Sequence, residues 1–205
     1  MATRKRRPGE KHGDLKAALL QAAGKRLEQD GPEKLSLRAV ARLAGVSQTA
    51  PYNHFANREG LLAALAAQGF ERLATNQAAA AQANDDPRIA LECLGYEYTR
   101  FARGHPKLYR LMFGAGVGGE GWHDDELVTA SKSRSFAPLR DVICRLLPEP
   151  VSPEQVDNGA MVCWAFVHGL SAMLIDGTLA DRVESDDALA ELSRQSIAII
   201  LDGVT

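Results

Sequence analysis

Apolar residues recur along this chain three and four positions apart, and strand-like alternation is nearly absent, which predicts an all-helical fold. Residues 15–29 read as a first helix with Leu20, Ala23 and Leu27 inward, and Asp30-Gly31-Pro32 stops it. Leu37, Val40, Ala41 and Ala44 then give one buried stripe, opened by Ser36 as N-cap and closed by Gly45 as a left-handed C′ residue. Val46 plugs the turn, and Ser47 caps a second short helix over 47–55. A long Ala-rich helix over 58–83 carries Leu62, Leu65, Phe70 and Leu73 inward. Asp86 with Pro87 at N1 starts a helix that Gly104 ends, and a short helix follows over 105–113. Residues 124–147 are again helical, but Pro138 predicts a kink or break there. Ser152-Pro153-Glu154-Gln155 is a capping box, with Val151 and Val156 as its hydrophobic staple, and its helix runs to Asp176 before Gly177. Ser185 caps a last helix through 201, with Leu189, Leu192, Ile197 and Ile200 on its apolar side.

Two short helices around a Gly-centred turn are helix-turn-helix grammar, whose second helix enters a DNA major groove. Gln48, Thr49 and Asn53 carry donors and acceptors for base edges, and Tyr52 and His54 can bond phosphate oxygens, with Ser47 counted among the DNA-binding residues at the helix start. Arg38 and Arg58 flank them as cations for the backbone. A small solvated helical hairpin is the alternative for this stretch.

The run over 35–62 resembles the DNA-binding segment of the TetR (tetracycline-repressor-like) family of transcriptional regulators. Leu35, Ser36, Arg38, Val40, Ala41, Ala44, Gly45, Val46, Ser47, Tyr52, His54, Phe55, Asn57, Leu61 and Leu62 match the family pattern without a gap. Arg58 stands where the family usually has Lys, and Pro51 where it usually has an aliphatic residue. Pro51 falls at N4 of the second helix and forgoes its first intrahelical hydrogen bond. The segment Trp164-Ala-Phe-Val-His168-Gly169 is similar to the tryptophan-histidine-glycine motif of one C-terminal subgroup of these regulators. The resemblance implies a three-helix helix-turn-helix head over 15–60 and a ligand-binding and dimerisation body of about six helices over 61–205. It also implies a homodimeric, ligand-responsive repressor on a pseudo-palindromic operator in double-stranded DNA. A helical carrier or interaction module without DNA binding is the rival reading.

Charge supports the head. Residues 1–60 carry twelve Lys/Arg against six Asp/Glu, and the rest twelve against twenty. A basic head on an acidic body is expected when one module touches phosphate. Residues 1–14, with Arg4, Lys5, Arg6 and Arg7, read as a disordered basic arm or an inert solubilising tail, and lack the apolar run of a signal peptide.

Other chemistry is sparse. No nucleophile–base pattern, H-E-x-x-H or G-x-S-x-G occurs, so no enzyme, no catalytic residue and no cofactor is expected. His123 with Asp124, Asp125 and Glu126 points in several directions on a helix, so no metal site is expected. Gly114 to Trp122 is a Gly-rich loop without the Lys-Ser/Thr of a phosphate-binding loop. Cys93, Cys144 and Cys163 read as free thiols among apolar neighbours in a reducing cytoplasm. The apolar stretch over 161–175 is shorter than the roughly 20 residues of a membrane span, so no membrane contact is expected.

For an unknown, lipophilic effector the candidate lining is aromatic and Met-rich: Phe101, Tyr109, Met112, Phe113, Trp122, Met161, Trp164 and His168, with Tyr98, Phe136 and Phe166. His168 reads equally as a buried core histidine. The two closing apolar helices suit a two-fold four-helix interface between protomers.

Overall fold

A computed structural model describes residues 12–114 and 125–204. Among the described residues there are eight α-helices and no strand: α1 His12–Asp30, α2 Leu37–Leu43, α3 Arg58–Gln82, α4 Pro87–Gly104, α5 Pro106–Phe113, α6 Glu126–Leu146, α7 Pro153–Ile175 and α8 Asp186–Val204. The helix ends follow local chemistry. The Ser36 hydroxyl accepts the Ala39 amide at the start of α2, and Asn57 and Asp86 accept the Gly60 and Arg88 amides at the starts of α3 and α4. The Ser152 hydroxyl accepts the Gln155 amide while the Gln155 side chain accepts the Ser152 amide, completing the capping box of α7. After α2, Gly45 adopts φ +68°, and the Gly45 and Val46 amides donate to the Arg42 and Ala41 carbonyls. This is the six-to-one, five-to-two bonding of a Schellman end, and only glycine takes that φ without strain.

Three expectations change. Helix α1 starts at His12, inside the stretch expected to be a basic arm, whose residues 1–11 lie outside the described residues. The helix expected over 47–55 is a 3₁₀ segment, Ala50–Asn53. Pro51 has no N–H for the Ser47 carbonyl, and its ring would crowd that oxygen in an α-helix. The Ala50 amide takes the carbonyl from one residue closer (3.1 Å), and the Ser47 hydroxyl meets the Thr49 hydroxyl (3.2 Å) instead of capping the backbone. Helix α6, by contrast, runs unbroken through Pro138, which is buried. It is tied on either side of Pro138, near its middle to α3 and near its C-terminus to the residues that follow α3. Arg134 pairs with Glu71, and Arg145 donates to the Asn84 and Asp85 carbonyls, so α3 and α6 run parallel.

The apolar side chains form two clusters. The first joins Leu19, Leu27, Leu35, Val40 and Phe55 of the N-terminal helices to Leu62, Phe70, Tyr98, Tyr109 and Val167, so it passes without interruption from head to body along α3. The second gathers Leu91, Leu94, Leu139, Ile143, Ala160, Cys163 and Ile197 at the far end. Cys163 is buried, Cys93 partly so and Cys144 exposed, which corrects the expectation of three core thiols.

Helix α7 packs on α4, α6 and α8 with one side only. Its 23 residues are, by length and composition alone, apolar enough to cross a bilayer, with a mean hydropathy of 1.4, although the apolar stretch over 161–175 is shorter than a span. A third of that window is buried. Val162 and Met173 on α7 and Ile199 on α8 are exposed, the last at 74%.

Candidate nucleic-acid interface and effector cavity

At the head, the buried residues Leu37, Val40, Ala41, Pro51 and Phe55 hold α2 and the 3₁₀ segment together. Their partners on the other side point to solvent. Arg38, Ser47, Gln48, Thr49, Tyr52 and Asn53 are all exposed, Tyr52 at 52%, and His54 is half-buried beside Phe55. These polar side chains are therefore all presented to solvent on the head. Arg42, four residues after Arg38 and exposed like it, adds a second cation on that side of α2. Sequence reasoning passed over it, although the i, i+4 spacing was visible.

Arg58 does something else. Its Nε and Nη2 donate to the carbonyls of Leu35 (3.1 Å) and Pro32 (2.7 Å), and Nη1 lies 3.9 Å from Glu59. The half-exposed guanidinium clamps the start of α3 to the segment between α1 and α2.

In the body a cavity of about 530 Å³ opens where the two apolar clusters meet. Leu73 and Gln77 of α3, Leu91, Leu94 and Tyr98 of α4, Phe136 and Leu139 of α6, and Trp164 and Val167 of α7 form its walls. Thr129, Lys132 and Ser133, exposed on α6, mark its mouth. Its volume lies in the range of ~300–1,000 Å³ that houses small ligands.

Of the aromatic and Met residues expected to line such a site, Tyr98, Phe113, Phe136, Met161 and Trp164 do. Phe101 and Met112 do not: both are buried in the first cluster, where Met112 packs so near Gly69 that a Cβ there would lie 2.5 Å from its Sδ. Phe166 packs outside the lining, and Trp122 lies outside the described residues. Tyr109 and His168 stand one layer behind the wall. The Tyr109 and Tyr98 hydroxyls lie 2.7 and 3.0 Å from His168 Nδ1 and 3.2 Å from each other. Burial pushes the Tyr109 phenol up to about 12, so it stays protonated and donates. Burial, and then the Lys132 charge, hold His168 below its ordinary value and favour the neutral ring, whose Nδ1 lone pair faces the short Tyr109 contact. His168 is thus a bonded core histidine, but its partners are phenols and not a backbone carbonyl. Gln77 and Lys132 were missed from sequence; a polar residue on the Phe70–Leu73 stripe was the available signal for Gln77.

Head and body are joined at a second place. The Glu28 carboxylate of α1 accepts the Lys107 (3.3 Å) and Leu108 (2.9 Å) amides at the N-terminus of α5, and Lys107 Nζ donates to the Gln29 carbonyl (2.7 Å). A carboxylate at that helix end is favoured by the dipole.

A helix-turn-helix head with an exposed polar reading face, continuous with a helical body, defines a DNA-binding transcriptional regulator and not an enzyme. The comparisons with known proteins agree. Residues 91–196 match the tetracyclin repressor-like C-terminal domain, and residues 19–65 match the bacterial regulatory proteins of the tetR family. The chain belongs to the TetR family of transcriptional regulators. It is 26% identical over 168 residues to an HTH-type transcriptional regulator of Mycobacterium tuberculosis, covering 81% of this chain and 72% of that one. A protein of unknown function from Rhodococcus sp. RHA1 has a similar structure: TM-score 0.78 and 28% identity, over 96% of this chain and 98% of that one. The Bacillus subtilis regulator FadR, solved in complex with stearoyl-CoA, shares the fold at 13% identity, with TM-score 0.70 over 92% and 98% of the two chains.

Proposed function

We propose that this regulator is a cytoplasmic homodimeric repressor released from a pseudo-palindromic operator by a small molecule. The observation that carries the reading is the exposed row Gln48, Thr49, Tyr52 and Asn53 on a rigidly backed helix-turn-helix, coupled through one continuous core to a ligand-sized cavity. Gln48, Thr49 and Asn53 read base edges, while Ser47, Tyr52, His54, Arg38 and Arg42 contact phosphates. Arg58 holds the head in shape for them. The head, taken as residues 15–60, and the body, 61–205, meet within α3.

The stripe Val162, Phe166, Gly169 and Met173 on α7, continued by Ile199 on α8, forms the two-fold interface. Among the described residues beyond its own helix, nothing lies within 4 Å of the place a Cβ would take on Gly169, so the close approach that it permits is to a partner helix. An interface, and no bilayer, covers the apolar face. Two heads then sit roughly 34 Å apart in successive major grooves. A ligand between the two clusters shifts this spacing by favouring one arrangement of the body, a coupling of about 1–3 kcal/mol. The neighbouring fold that holds stearoyl-CoA supports a lipophilic effector.

Selection of bound duplexes from a random pool tests the reading and should return a palindromic site. On that site Arg38→Ala weakens all sequences alike and lowers the log-salt slope by about one, whereas Gln48→Ala relaxes the preference at a single base pair. A pool that yields no preferred sequence at low salt rejects it.

A further inference from the structure

One side chain in the cavity wall is at odds with its surroundings. Gln77 sits on the apolar stripe of α3, only 5% exposed, and lines the cavity. Its amide makes no hydrogen bond to another described residue, and it keeps a little accessible surface on the cavity side, since the fully buried unpaired side-chain atom among the described residues is Arg26 Nε. An amide that faces a largely apolar cavity without a protein partner is free to bond a polar group that enters it. The other deep polar groups are already occupied: the Tyr98 hydroxyl by Tyr109 and His168, and the Ser135 hydroxyl by the Lys132 carbonyl. Gln77 is therefore left to meet whatever enters.

Lys132 is the cation of the lining. It is exposed at the mouth, and among the described residues its ammonium has no ion-pair partner. The Arg134–Glu71 pair sets the register of the parallel α3 and α6. Lys132 is two residues before Arg134 and so falls level with about residue 69 of α3. Gln77 stands roughly 12 Å further along, at 1.5 Å per residue. Between them the wall is Leu73, Leu94, Tyr98, Phe136 and Trp164.

We propose that the effector is an elongated amphipathic anion: a carboxylate paired with Lys132, an apolar body along the aromatic wall, and a second hydrogen-bonding group at the far end held by Gln77. This rests on the effector reading above and gives it a chemical class. The two polar anchors act as a ruler, because a shorter acid cannot reach both and a plain hydrocarbon acid leaves Gln77 unpaired.

Calorimetry of the full chain without DNA tests it, with 10-hydroxydecanoate, decanoate and 1,10-decanediol as probes. The hydroxy acid should bind most tightly. Lys132→Gln should weaken both acids about fivefold at low salt and leave the diol unchanged. Gln77→Leu should weaken the hydroxy acid and the diol about fivefold and leave decanoate equal or tighter. Gln77→Met serves if the leucine variant does not fold. Failure to bind any probe, or equal effects of either variant on all three, overturns the proposal. Because no DNA is present, a chain that selects no operator leaves this outcome intact, and a failure here leaves operator selection intact.

Discussion

His168 and Arg58 both turn on where a side chain's hydrogen-bonding atoms point. With the Nδ1 lone pair taking the Tyr109 hydrogen, protonating His168 would force the phenol hydrogens to turn away. Its value in the folded chain is depressed below the ordinary 6.5, so the unfolded chain takes up the proton first as pH falls. The stabilisation is present above about pH 6.5 and is lost as pH falls through the depressed value. Thermal midpoints at pH 8 and pH 5 should therefore drop further for the parent than for His168→Gln, which keeps an acceptor without titrating; equal drops would remove the cluster from the acid response. The pairing of Trp164 with His168 on one helix face was legible from their spacing of four. Their partners were not, since Tyr98 and Tyr109 arrive from α4 and α5. Arg58 shows the same limit: its position in the motif was plain, but the Pro32 and Leu35 carbonyls that take up its donors exist only once the head has folded.

At the level of helices and turns, the features written into three or four adjacent residues could be read directly. The Ser36, Asp86 and Ser152 caps and the Gly45 and Gly177 stops are of this kind. The two prolines divide the cases. Pro51 lies in a short segment with few bonds to resist it, and the segment becomes 3₁₀; Pro138 lies in the 21-residue α6, which is tied on either side of it to α3 and to the residues after α3, and the helix continues. The outcome depends on tertiary anchoring, which periodicity does not report. The joint between α1 and α5 is equally non-local. Glu28 links the helix that bears Tyr109 to the head, so it lies on a bonded route from the cavity's rear wall to α1. Glu28→Ala should leave DNA and effector affinities within a few-fold when each is measured alone, while reducing their mutual effect by about 1 kcal/mol. Operator titrations with and without saturating effector measure this, and an unaltered ratio would place the coupling elsewhere.

For the molecule as a whole, the all-helical class, the head and the closing helices followed from pattern and motif. The cavity did not, because it is a property of two clusters meeting and not of any stretch of sequence. Aromatic content pointed to Phe113, Met161 and Trp164 but equally to Phe101 and Met112, which are solid core. The outer stripe of α7 and α8 belongs to this scale too. Ile199→Glu places a charge in the centre of the proposed two-fold contact, where burying it unpaired costs several kcal/mol. Sedimentation should then report a monomer that still binds effector, with operator affinity reduced at least about tenfold; a dimer of undiminished strength would move the interface away from α8.

The seam between the two clusters has a thermal corollary. The head-side and far-end cores share helices α4, α6 and α7 and meet at Trp164, which packs against both, so heat can loosen one before the other. A guest spanning the seam touches both at once and acts as a keystone. Scanning calorimetry would then trace a broad, two-humped melt for the protein alone, sharpening into a single peak as the guest is added.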